Sequence, residues 1–312
     1  MSNPNGTRLD RRIKDQLRML RARIDAWRGA PAIKRRFLES HGYPLNLRTP
    51  RTWNEKMQWR KLYDRNPLLP IISDKVATRE FARSRLEPSD HWVVPPFLQV
   101  ATRVDQIDIA ALPDDVILKP AHGSGWRLLL HAEEPRDIAA IRNTLRRWLD
   151  RRFGTALDLN EQFYWPAKRA ILVETLMPGP KGSRPAEVKF HLFHGEIRFV
   201  TYTEAGPNLL SVGVFDENWQ ILPFAIHMPP MEVAPPVPEY WDDLCRIARL
   251  VGAGFDHVRV DFMMAGDQVV LNEMSAVHIS GYGPITPVEY DRIIGDWWVP
   301  PDEKQDGAVR ED

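Results

Sequence analysis

The chain has 312 residues, enough for one large domain or two, and 43% of them are hydrophobic, an ordinary share for a protein that buries a core. Its 42 Lys and Arg balance 42 Asp and Glu, which argues against a dedicated nucleic-acid binder. The single cysteine, Cys245, excludes an internal disulfide and suits a reducing compartment; no apolar stretch is long enough to span a bilayer and the first residues are too polar for a signal peptide, so the cytosol is the expected location.

Residues 1–92 read as a helical region. Between Arg8 and Arg36 the chain is crowded with Arg and Lys, and Leu9, Ile13, Leu17, Leu20, Ile24 and Trp27 fall three and four apart, one stripe of a helix. Two readings follow. The stripe docks a surface helix on the body of the protein, or the helix lies on an anionic membrane surface or grips a partner. A second helix begins at "TPRTWNEKMQWRKLYDRNP", where Thr52 and Glu55 make a capping box and Pro67 stops the run. A third, "SDKVATREFARSRL", has Asp74 as its N-cap and puts Lys75 and Arg79 on one face.

From Val93 the texture changes to short apolar runs: "VVPPFLQV", "VILKPA", "WRLLLH", "AILVETL", "VKFHLFHGEIRFVTYT", "LLSVGVFD", "HVRVDFMMAG" and "QVVLNEM". Short turns such as "HGE" and "AGD" join them, so hairpins and antiparallel sheet are expected, with helices at "DIAAIRNTLRRWLDRRF" and "YWDDLCRIARLVG". The layout is α+β. Cys245 reads as a buried small hydrophobe on the second of those helices. "HMPPMEVAPPVPEY" is a proline-rich connector, no internal repeat is visible, and residues 300–312 read as a disordered tail.

Three stretches carry chemistry. In "VILKPAHGSGWRLLL" a strand delivers Lys119, two glycines follow, and a second strand returns, which is a hairpin with a glycine tip rather than a P-loop. In "HVRVDFMMAGDQVVLNEMS" Asp261 and Glu273 stand on two strands around Gly266. A three-residue turn would set both carboxylates on one face, directly opposed, with Arg259 and Ser275 beside them; a two-residue turn would separate them. Opposed acids repel unless a cation lies between them, and Mg²⁺ is held by a few carboxylates plus phosphates. The alternative is an exposed hairpin with scattered charges. In "RAILVETLMPGP" an apolar strand ends at Glu174, either a simple edge acid or a hinge that reads a ligand's hydrogen-bonding edge. His191 and His194 are three apart on a strand and face opposite ways; they, His122, His278 and Cys245 offer no zinc spacing, and no serine or cysteine nucleophile motif appears.

The order of these features, with the phrases "TWNEKMQWRKLYDRNPLL", "SDKVATREFA", "LKPAHGSG", "VKFHLFHGEIRFV" and "HVRVDF", resembles the TupA-like ATP-grasp family from about Phe37 to Trp298. The resemblance implies two antiparallel-sheet subdomains clasping ATP, the first over residues 93–176 with the glycine-loop lid and the second over 177–299 with the metal hairpin. It implies that Lys75, Lys119 and Arg79 meet phosphates, and that His122, Gly123, Ser124 and Gly125 form a loop closing over them. Glu174, Thr175, Leu176 and Met177 would be the adenine hinge, and Glu187 and Lys189 would line the ribose and phosphate side. Asp261, Glu273 and Ser275 would hold Mg²⁺, with Arg259 and Lys119 catalytic. The implied activity is ligation of a carboxylate to an amine in cell-surface polysaccharide or teichuronopeptide-like synthesis, with a glycan-precursor or small-molecule carboxylate and an amine donor as partners. A non-catalytic nucleotide-binding scaffold and a kinase are the other functions the pattern allows. The chain departs from many relatives at Trp126, where another glycine is common, at Ser275, often Asn in the wider superfamily, and in having helices where a Rossmann-like domain is usual.

Overall fold

The computed structural model describes residues 8–177, 179, 184–205 and 210–301, so most of the predicted tail lies outside the described residues. Five helices come first: α1 (Arg8–Trp27), α2 (Pro31–His41), α3 (Trp53–Tyr63), α4 (Leu68–Ile72) and α5 (Lys75–Arg85). Gly29 at φ +85° and Ala30 at φ +55° turn the chain between α1 and α2, and Pro31 starts the latter. The basic stretch to Arg36 is therefore two helices. The capping box at Thr52 and Glu55 forms, and the Asp74 carboxylate accepts from Val76 N at 2.9 Å and Ala77 N at 3.3 Å. Helix α3 ends at Tyr63, short of Pro67, because the Asp64 side chain turns the backbone by accepting from Asn66 N at 2.8 Å.

The predicted docking of α1 is corrected. Ile13, Leu17, Leu20, Ile24 and Trp27 are exposed, while Asp15 and Ala22 are buried. The small Ala22 lets the helix approach, Asn160 Nδ2 donates to its carbonyl at 2.9 Å, and Asp15 forms an ion pair with Arg169. A partner 154 residues away thus decides which face turns inward.

A four-stranded antiparallel sheet has the order β1 (Gln99–Ala101), β4 (Ile171–Thr175), β2 (Val116–Pro120), β3 (Leu128–Leu130). Val116, Leu118, Ile171 and Val173 point to one side and bury Ile141 and Leu145 of α6 (Ile138–Asp150). By alternation, Lys119, Leu172 and Glu174 point to the other. A five-stranded sheet has the order β10 (Gln268–Ser275), β9 (His257–Ala265), β5 (Ala186–Phe193), β6 (Glu196–Ala205), β7 (Leu210–Phe215). Its Val188, Phe190, Leu192, Val258, Val260 and Phe262 pack on α7 (Trp241–Gly252), where Cys245 is buried as expected. The pair β8 (Ala225–Ile226) and β11 (Ile285–Thr286) precedes α8 (Glu289–Asp296), an element the sequence reading did not anticipate.

Every residue of α3 from Trp53 to Leu62 is buried, charged ones included, because the polar side chains grip the segment after β10 and the start of β9. Lys56 Nζ donates to Gly295 O at 2.7 Å, Gln58 Nε2 to Gly281 O at 2.7 Å and Arg60 to His257 O at 2.7 Å.

His191, His257 and His278 form an enclosed cluster with Trp53, His191 stacking on Phe199 at 4.1 Å. Burial, reinforced by neighbouring positive groups including Arg259, holds all three well below the usual histidine value. The folded chain therefore refuses protons that the unfolded chain accepts below about pH 6.5. This contribution is complete above that pH and is lost as pH falls, at about 1.4 kcal/mol per pH unit for each such histidine. The thermal midpoint should fall steadily from pH 7 to 5, and His191→Phe should flatten the slope. A midpoint independent of pH over that range would contradict this account.

Candidate functional site: a charged cleft between two sheets

The polar faces of the two sheets meet. Lys119 Nζ on β2 bonds Glu174 Oε2 on β4 at 3.0 Å and reaches Asn272 Oδ1 on β10 at 3.3 Å, crossing from one sheet to the other. Arg79 of α5 bonds the same Glu174 oxygen at 3.0 Å, lies 3.8 Å over the ring of Phe97 and donates to Pro95 O at 2.8 Å. Glu174 Oε1 is buried without a hydrogen-bond partner. Lys75, at the start of the same helix, donates to Gly123 O in the glycine loop. Burial lowers its pKa, against the opposing pull of Glu273 and Glu174.

The hairpin β9–β10 supplies the acids by a route different from the predicted one. Ala265 pairs with Gln268, so Gly266 (φ +62°) and Asp267 make a two-residue turn. Such a turn alone would set Asp261 opposite Asn272. A β-bulge between Leu271 and Glu273 absorbs Asn272, and Glu273 pairs with Asp261, Ser275 with Arg259. The carboxylates oppose each other as expected, but the bulge, not a longer turn, brings this about.

Arg259 lies across this pair. It donates to Asp261 at 2.7 and 2.6 Å, to Glu273 Oε1 at 3.0 Å and to Ser275 Oγ at 3.1 Å. Burial opposes its charge, but Asp261 and Glu273 outweigh burial and raise its pKa. Burial raises Asp261 to about 6 despite that cation. Burial also acts to raise Glu273, but Lys75, Arg259, Lys189 and Lys119 outweigh it and hold the group below its ordinary value. On β5, Lys189 pairs across from Asp261 and bonds Glu187 at 2.6 Å.

The remaining predicted residues lie in the loop that follows β2 and from the end of β4 onward. In the loop after β2, Gly125 adopts φ +73°, Gly123 packs so close to the ring of Trp126 that a Cβ there would lie 3.2 Å from it, and Ser124 is half-buried. Trp126 meets Phe153 edge-on at 5.7 Å and ties the loop to the segment after α6. His122 is buried beside the loop, its ring within 3.0 Å of Trp148 O, and burial pushes its pKa down to about 4. Thr175, Leu176 and Met177 continue from Glu174, Leu176 N donating to Asp115 O at 2.8 Å; residues 178 and 180 of the following Pro-Gly segment lie outside the described residues. His194 is in the β5–β6 turn at φ +51° and accepts from Val299 N, away from His191. Asn272 is the site residue that sequence reasoning missed, since a bulge has no signal in an alternating pattern.

Among the described residues no group of three or more His, Cys, Asp or Glu is placed to hold a metal ion. Two opposed carboxylates and a hydroxyl suit an ion such as Mg²⁺ that keeps water and substrate phosphates as its other ligands. The unpartnered Glu174 oxygen suits a ligand N–H.

Solved structures similar to this chain include the ATP-grasp ligase PsnB complexed with minimal precursor, at 16% identity and TM-score 0.37, covering 75% of this chain and 64% of that one. D-alanine–D-alanine ligase from Bacillus anthracis complexed with ATP aligns at 12% identity and TM-score 0.42, covering 76% and 69%. N5-carboxyaminoimidazole ribonucleotide synthetase from Thermus thermophilus aligns at 15% identity and TM-score 0.40, covering 73% and 53%. The chain thus spans less than two-thirds of the length of the first and third. No curated protein matches the sequence. The profile described as TupA-like ATPgrasp matches residues 55–299, a stretch that holds both sheets and all the site residues above, and the chain belongs to that TupA-like ATP-grasp family.

Proposed function

We propose that the protein is an ATP- and Mg²⁺-dependent carboxylate–amine ligase. The observation that carries this reading is Lys119, which stands between the cationic face of one sheet and the acidic hairpin of the other. Lys75, Lys119 and Arg79 supply positive charge for a triphosphate, and backbone N–H groups of the Gly123–Gly125 loop add donors. Glu174 Oε1 and the backbone to Met177 serve an adenine edge, and Glu187 and Lys189 serve the ribose side. Asp261, Glu273 and Ser275 would hold Mg²⁺, which when bound offsets the negative charge of the phosphates.

In the reaction a carboxylate oxygen attacks the γ-phosphorus and ADP leaves. The amine nitrogen then displaces phosphate from the acyl carbon, loses a proton and leaves an amide. Arg259 orients the carboxylate and offsets its charge. No protein nucleophile is required. The resemblance to the teichuronopeptide branch supports a cell-surface glycan precursor bearing a carboxylate as acceptor and an amino acid as amine donor, with the work done in the cytoplasm, where ATP is supplied.

Incubation with ATP, Mg²⁺ and uronate–amino acid pairs should release ADP and phosphate in step with amide. A stable phosphorylated product would select a kinase, and Mg²⁺-dependent ATP binding without turnover would select a scaffold. Absence of Mg²⁺-dependent nucleotide binding by calorimetry would reject all three.

A further inference from the structure

We infer that α1 is a membrane anchor that lies flat on an anionic lipid surface. The inference goes beyond the ligase reading and rests on separate residues. Ile13, Leu17, Leu20, Ile24 and Trp27 are 49, 49, 52, 45 and 87% exposed, a continuous apolar stripe about 21 Å long at 1.5 Å rise per residue. Single exposed apolar residues are ordinary, but an ordered row of five is not. At about 100° per residue the stripe lies roughly opposite the line of Asp15 and Ala22 that seats the helix on the protein. The helix can therefore meet a second surface without leaving the first.

Charge identifies that surface. Residues 8–41 hold eleven Lys and Arg against four Asp and Glu, in a chain whose total charge is zero. Asp15 is already committed to Arg169. The exposed Lys14, Arg21 and Arg28 run along one edge of the stripe, where their stems can lie on acyl chains and their charges reach headgroup phosphates, while Arg23 on the other edge lies over the ring of Trp165, 5.6 Å from its centroid. Trp27 closes the row, an indole suited to the boundary between headgroups and acyl chains. A second copy of the same helix would bring like charge against like charge, which disfavours self-pairing. No described helix is long and apolar enough to cross a membrane, so the contact is interfacial.

The test uses the full chain and vesicles of phosphatidylcholine, with or without about one-third phosphatidylglycerol. Wild type should co-sediment at least about tenfold more tightly with the anionic vesicles and be released by high salt. Leu17→Glu with Leu20→Glu, and separately Lys14→Glu with Arg21→Glu, should each reduce binding about tenfold or more while leaving thermal unfolding and ATP turnover unchanged, because these side chains are exposed. Failure of wild type to bind anionic vesicles overturns the inference, as does undiminished binding by the Leu17/Leu20 variant. So does wild-type self-association in sedimentation velocity that this variant abolishes, which would make the stripe an interface between copies. None of these outcomes bears on the ligase reading.

Discussion

Lys119→Met should lower ATP-dependent product formation by about 100- to 1,000-fold, the range for removing one fixed group that offsets charge developing in a phosphoryl or acyl transfer. Lys119 links the two sheets, bonding Glu174 on its own sheet and Asn272 on the other. The variant should stay folded, because Arg79 continues to hold Glu174 at 3.0 Å and methionine fills much of the lysine's volume. Initial rates of ADP release, measured beside a thermal unfolding curve, separate the two effects. A loss below tenfold with an unchanged melting point would remove Lys119 from the phosphate role. Lys75 is a weaker single target, since its Nζ is already bound to the Gly123 carbonyl and its loss would also free the loop.

Arg259→Met should destabilise the fold by about 3–5 kcal/mol, because it strips buried Asp261 of its two-bond partner and removes one of the cations around Glu273. The guanidinium spans Asp261, Glu273 and Ser275, and nothing else on β9 replaces it. The same substitution removes a cation that competes with a divalent ion for the two acids. Without nucleotide, added Mg²⁺ should therefore raise the variant's melting temperature more than the wild type's. An unchanged stability, or a variant indifferent to Mg²⁺, would break the link between this arginine and the acidic pair.

What the sequence made legible was local. Thr52 and Glu55, Asp74 with its first-turn amides, and the alternation of Val260, Phe262 and Asp261 all act within a few residues, and the two helices began at the caps their own residues specified. The grouping of the charged site was legible from order along the chain together with family resemblance. Three features were not legible. The direction of the α1 stripe depends on Asp15 meeting Arg169, a long-range partner that periodicity cannot show. The burial of polar α3 depends on carbonyls of residues 281, 295 and 298, which only the finished fold brings near. The opposition of Asp261 and Glu273 was reached from an assumed three-residue turn, while the chain combines a tighter turn with a bulge.

That bulge has a consequence for how the cleft opens. A regular strand offers its neighbours every second side chain, but the uncounted Asn272 lets β10 aim two successive residues toward the ligand side, one at Lys119 and the next at Asp261. One peptide link therefore separates the latch between the sheets from the acidic pair. Separating the two sheets would break the Lys119–Asn272 hydrogen bond, so the amide of that residue is a natural reporter of gaping.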